Sequence, residues 1–134
     1  MSVYAEALAA AVNKVRRILA PPPRKTVTQW ADAYRVLSPE SSARPGRYRS
    51  RFAPFQAGIM DADSDPTVER LVGMTSAQIG KTTILENILG YFVHLDPCPI
   101  LVIQPTERLA ETFSKDRLAP MVRDTAVLRD RIAD

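Results

Sequence analysis

Apolar residues recur along this chain with two rhythms. Within residues 3–20, Leu8, Val12, Val15 and Leu19 stand at spacings of three and four in an Ala-rich stretch, the stripe of an amphipathic helix. Pro21-Pro22-Pro23 stops it. Beyond a basic hinge at Arg24 and Lys25, Thr28 is placed to cap a short helix carrying Trp30, Ala33, Tyr34 and Leu37, whose work is packing. At Val68, Leu71, Val72 and Met74 the rhythm shortens to that of a buried strand. Helical spacing returns at Ile84, Leu85, Ile88, Leu89, Phe92 and Val93, with Glu86 and Asn87 off the stripe. Asp96-Pro97 and Pro99 end that helix, and Ile100 to Ile103 reads as a second buried strand. A helix over Glu107 to Lys115 follows, capped by Thr106, with Leu109, Ala110 and Phe113 on one face. This βαβα order predicts an α/β fold with parallel strands and a right-handed crossover, preceded by a helical N-terminal arm.

Between the first strand and its helix the chain reads M-T-S-A-Q-I-G-K-T-T, closing on Gly80-Lys81-Thr82. That is the end of a phosphate-binding loop, in which backbone N–H groups surround phosphates, a Lys meets their charge and a hydroxyl reaches Mg²⁺. The residues available for this are Ser76, Ala77, Gln78, Ile79, Gly80, Lys81, Thr82 and Thr83, with Thr82 as the metal contact. Thr75 stands where the usual pattern has its first glycine. Taken alone, Gly80 is a turn, Lys81 a solvated charge and Thr82 a helix cap; the order strand, loop, helix gives the triplet its meaning.

Net charge sharpens the picture only at the front of the chain. The total is +3, yet residues 1–50 carry nine Lys or Arg against three acids and residues 51–134 nine against twelve. Residues 38–50, S-P-E-S-S-A-R-P-G-R-Y-R-S, read as an exposed loop. There Arg44, Arg47, Arg49 and Arg51 surround Tyr48, a pattern that suits a nucleic-acid backbone or an ordinary solvated loop. In Arg51 to Met60, Phe55 and Gln56 are placed for an adenine, the amide against its edge and the ring beside it, although P-F-Q alone also reads as a helix start with a buried Phe. Asp61, Asp63 and Asp65 lack the glycine and later Glu of a calcium loop, so D-A-D-S-D-P reads as a turn. The single cysteine, Cys98, rules out an intrachain disulfide, and the single histidine, His94, a His-rich metal site. No apolar run approaches the ~20 residues of a membrane span.

Four separated blocks carry a resemblance: W-A-D-x-Y-R-V-L-S-P-E-S-S-A-x-P-G-R-Y-R, then P-F-Q-x-G-I-M-D-A, S-A-Q-I-G-K-T, and I-L-V-I-Q-P-T with F-S-K-D-R-L-A-P-M. In this order and spacing, from about Trp30 to Arg123, they resemble the large terminase subunit of lambda-like tailed bacteriophages. The resemblance implies an ATP- and Mg²⁺-binding, helicase-like P-loop ATPase that packages double-stranded viral DNA through the procapsid portal in the host cytoplasm, with an endonuclease in the whole protein. It makes Lys81 the phosphate-loop lysine and catalytic residue, Thr82 the Mg²⁺ ligand and Gln56 the glutamine of an adenine motif. Gln104, Pro105 and Thr106 resemble a motif coupling nucleotide state to DNA. Ala77 or Gln78 stands where many terminases place a loop arginine. Residues 1–20 would dock the small terminase subunit. The domains expected are an arm and Pro-rich hinge at 1–25, a helical and loop segment with the adenine motif at 26–66, and an ATPase core at 67–134. No strand ending in Asp-Glu follows residue 106, so the chain reads as the front of the ATPase, a piece of a longer protein or a degenerate prophage copy, expected to bind Mg²⁺-ATP weakly without turning it over. The competing readings are the first half of another helicase-like P-loop ATPase and a non-catalytic module that binds the small subunit.

Overall fold

The computed structural model describes residues 3–20 and 25–132. Helix α1 spans Val3–Leu19, as the stripe predicts, and Leu8, Val12, Val15 and Leu19 are all exposed. The triple-proline stop and Arg24 lie outside the described residues.

Helix α2, Val27–Tyr34, is capped two residues before the expected position. Thr26, not Thr28, is its N-cap: the Thr26 hydroxyl accepts from Gln29 N while the Gln29 side chain accepts from Thr26 N, a reciprocal box that satisfies two orphan donors. Thr28 N instead donates to Asp61 Oδ1 at 3.0 Å, tying the start of α2 to helix α3, Phe55–Asp63. α3 thus carries the Asp-rich segment as far as Asp63, and the turn begins only at Ser64.

Leu37 leaves the helix. It lies in β1, Val36–Leu37, which pairs antiparallel with β2, Gly46–Arg47, in the register Val36 opposite Arg47 and Leu37 opposite Gly46. Residues 38–50 are therefore a hairpin end and not a free loop, and Tyr48, which follows β2, is buried. A 3₁₀ turn at Ser50–Phe52 is fastened by Asp32, whose carboxylate accepts from Ser50 N at 2.7 Å and Ser50 Oγ at 2.6 Å.

Helix α4, Lys81–His94, is the centre of the molecule and is covered from two directions. Ile84, Glu86, Asn87 and Gly90 are buried on the side where α2 and α3 pack. The periodicity set Glu86 and Asn87 off the apolar stripe, and the structure buries both. Glu86 Oε2 accepts from Arg35 Nη2 at 2.6 Å, a fully interior ion pair, while the Arg35 guanidinium also reaches the Val36 carbonyl. Burial works against both charges, pulling Arg35 down and pushing Glu86 up, and each partner's charge opposes the other's shift. Asn87 Nδ2 sits 3.4 Å from Met60 Sδ. Gly90 exists to admit Trp30, because a Cβ there would lie 2.2 Å from the indole ring.

The apolar stripe of α4 is shared between two sides: Ile84 belongs to the core, with Ile88 and Val93 packed against it, while other stripe residues turn to clefts beyond it. Leu85 and Ile88 line both a cleft against Leu71, Gly73 and Thr75 and a second cleft against residues 98–104. Those are the two stretches expected as parallel strands, and neither forms one: among the described residues the sheet is β1 and β2 alone. They lie extended over α4 without strand pairing, and Val72, Met74, Leu101 and Ile103 are at least 80% exposed. A parallel strand is stable only between partners with both faces covered, and among the described residues neither stretch has a strand partner. The fold is mixed α/β, mostly helical.

Thr106 caps α5, Glu107–Phe113, by accepting from Leu109 N, as expected. The helix then continues past Lys115 through a π-helical turn, Ser114–Leu118, into α6, Ala119–Asp124; extended Thr125 breaks it before a short α7, Ala126–Arg129. Met121 and Leu128 join Val27, Trp30, Ala31, Tyr48, Met60, Ile84 and Leu95 in the core. Arg117 closes this end on the hairpin, donating to the Ser41 carbonyl at 2.8 Å.

Candidate nucleotide site

The loop entering α4 turns through backbone that side chains rarely adopt, with φ of 61° at Gln78 and 85° at Gly80. Gly80 is the N-cap of α4, and a Cβ on it would lie 2.4 Å from Gln56 Nε2. Both its left-handed backbone and its crowding require glycine. No side chain caps this helix, so the first-turn N–H groups of Lys81, Thr82 and Thr83 have no intrahelical partner, and the positive end of the dipole faces outward with them. An anion is the natural partner of such an end.

The loop separates two clefts. On one side Lys81, exposed, borders a space of ≈ 220 Å³ together with Leu71, Thr75, Ile84, Leu85 and Ile88. On the other lies a larger cleft of ≈ 570 Å³ between the hairpin and the loop, walled by Arg44, Arg47, Arg49, Phe52, Phe55 and Gln56 and by Gln78, Ile79, Gly80 and Thr83. Ser76, Ala77 and Gln78 are exposed, while Ile79, Thr82 and Thr83 are half-buried. Arg44 and Arg51 stack on Phe52 with their guanidinium carbons 5.1 and 5.0 Å from its centroid, and Arg47 Nη2 donates to the Ala33 carbonyl at 2.9 Å. Arg44, Arg47, Arg49 and Phe52 therefore share this cleft with the loop that enters α4.

The structure brings Phe55 and Gln56 to this cleft but reverses the expectation about which of the neighbouring rings is buried. Phe55 is 58% exposed at the rim, and the ring beneath the cleft is Tyr48. Tyr48 OH donates to Gln56 Oε1 at 3.1 Å, and Gln56 Nε2 donates to the Ile79 carbonyl at 2.7 Å. Burial and then the Asp32 charge push the Tyr48 phenol up to about 12, which keeps it a donor at any ordinary pH. The sequence held a signal for the inward Gln56: it stands four residues before Met60, and these two are the buried positions of α3. Gln104 and Thr106 lie apart from this cleft; Gln104 lines the space beside Phe92. Among the described residues no three of His, Cys, Asp and Glu gather as a metal-ligand group, and no helix is long and apolar enough to cross a membrane.

Both loop and cleft fall within a recognisable family pattern. Residues 42–134 match the family model of the phage terminase large subunit gpA, ATPase domain. The chain is 33% identical over 124 residues to the terminase large subunit of Enterobacteria phage P21, an alignment covering 92% of this chain and 19% of that protein. To the terminase large subunit of Escherichia phage lambda it is 32% identical over 120 residues, covering 84% of this chain and 18% of that protein. It thus spans about a fifth of the length of the curated relatives it matches. No solved structure matches it. With more than half of its residues inside that family model, the chain belongs to the phage terminase large subunit family, in its ATPase domain.

Proposed function

We propose that residues 76–83 and the cleft beside them bind ATP with Mg²⁺, as the nucleotide site of an ATPase that drives viral DNA packaging. One observation carries this: a loop closing on Gly80 at an uncapped helix start directly borders an aromatic and basic cleft large enough for a base and sugar. The residues fit the ligand. Gly80 keeps the backbone accessible, Lys81 supplies mobile positive charge on one side of the loop, and Thr82 offers the hydroxyl for the ion. Phe55 and Gln56 belong to the base side of the cleft. Mg²⁺-ATP would supply the phosphoryl anhydride, and these residues bind and orient it.

On the same reading residues 67–134 form the ATPase core, 26–66 its adenine-side cover and 1–25 an arm. The extended stretches over α4 would become the parallel strands of a P-loop sheet once flanked. The arm would dock the small terminase subunit, with double-stranded DNA and the procapsid portal as further partners in the host cytoplasm. Endonuclease activity would reside in further sequence of the kind that makes the relatives longer.

Titration calorimetry with Mg²⁺-ATP tests the site. The chain should bind weakly, and Lys81→Ala should weaken binding at least about tenfold without moving the melting temperature, because Lys81 is exposed and removes no packing. Equal binding by the variant, or none by the wild type, would remove the proposal.

A further inference from the structure

We infer that Gln56, held by Tyr48, positions the phosphate loop and does not read the base. The inference rests on the nucleotide-site reading but adds a role opposite to the one the adenine motif implies.

A carboxamide reads a base edge by presenting its oxygen and one N–H side by side. In this structure each of those atoms already makes one of its two possible hydrogen bonds within the protein. Gln56 Nε2 faces the Ile79 carbonyl at 2.7 Å, and Oε1 takes the Tyr48 hydroxyl at 3.1 Å. The orientation is fixed by chemistry: a carbonyl only accepts, so the atom facing Ile79 must be the nitrogen. The side chain is 5% exposed, so it has little freedom to turn toward a ligand.

These bonds belong to a longer closed path. Tyr48 N donates to the Arg35 carbonyl at 3.0 Å, and the Arg35 guanidinium is paired with Glu86 in the second turn of α4. From Glu86 through Arg35, Tyr48 and Gln56 the path returns to Ile79, the residue before the Gly80 N-cap of the same helix. The loop's carbonyl side is thereby tied to the helix whose N–H groups face the phosphates. Gly80 is packed against this tie, since a Cβ there would strike Gln56 Nε2. Loosening the tie changes how the loop presents its N–H groups whatever base is attached.

The test uses three probes on the full chain: Mg²⁺-ATP, Mg²⁺-GTP and inorganic tripolyphosphate, which has no base. Gln56→Met, of similar volume but with no amide, should weaken all three by a similar factor, about tenfold. Tyr48→Phe should weaken them in the same uniform way by a smaller factor. Hydrogen exchange over residues 76–86 should quicken in both variants while residues 88–94 stay as protected as in the wild type. A loss confined to ATP, with GTP and tripolyphosphate unchanged, would make Gln56 a base reader and overturn the inference. Unchanged exchange in the loop would overturn it as well. If the wild type binds none of the probes, the nucleotide reading fails and the exchange measurement alone decides the positioning role. If Gln56→Met does not fold, Tyr48→Phe decides both readouts.

Discussion

At the scale of single residues, the one histidine is a small acid-sensitive joint. Trp30 Nε1–H donates to His94 Nδ1 at 3.0 Å, so His94 carries its proton on Nε2 and must keep Nδ1 bare. Burial, followed by the charges of Arg131 and Lys25, pulls its pKa below 6.5. The folded state therefore favours the neutral ring. The stabilisation this gives is complete above the unfolded pKa of about 6.5 and disappears as pH falls through the lower folded value. His94→Asn keeps an acceptor at the Nδ1 position and cannot titrate. Melting curves should show the two proteins running parallel above pH ~6.5, with the wild type losing stability faster below it. Identical acid profiles would rule the joint out. Residues at this scale were legible where their signals are local. Gly80, Lys81 and Thr82 are contiguous, and Trp30 lies in a short apolar helix. Tyr48 and the Arg35–Glu86 pair were not, because their partners are set by tertiary packing, and the ion pair joins positions 51 residues apart.

At the scale of elements, local chemistry decided some boundaries and tertiary context decided others. The Thr26-x-x-Gln29 box marks the start of α2 more strongly than Thr28 does, and it stands in the sequence. For α4 the periodicity found one face correctly and missed the second, since a buried Glu and Asn look solvated until Arg35 and Met60 are brought to them. The arm is the element whose role its own surface argues best. Leu8, Val12, Val15 and Leu19 are 66, 44, 52 and 75% exposed, a complete apolar stripe left uncovered. If α1 is a docking helix, Leu8→Asp with Val12→Asp should abolish binding of the small terminase subunit and leave the melting temperature within a few degrees, because little burial is lost. A large fall in stability would place the stripe in the core instead.

At the scale of the whole molecule, the consequence of the unformed strands is a tendency to associate. The stretches over α4 are legible as apolar segments, but the expectation that they pair as parallel strands is not met, because pairing depends on neighbours that no local pattern specifies. Met74 is 97% exposed, Leu101 82%, Val72 80% and Ile103 80%, and these residues sit on backbone with no strand partner among the described residues. Exposed apolar side chains on unpaired extended backbone are a template for another chain. A small domain holds about 5 kcal/mol of stability, and apolar burial contributes about 25 cal/mol per Å², so covering a few hundred Å² between copies competes with keeping the chain monomeric. The isolated chain should therefore self-associate as its concentration rises. Replacing Val72 and Leu101 with Lys should reduce that association without lowering the melting temperature, since both side chains are already in solvent. Light scattering across a concentration series reads the outcome. A wild-type chain that stays monomeric and melts in one sharp transition would show that α4 and its extended cover close the core by themselves.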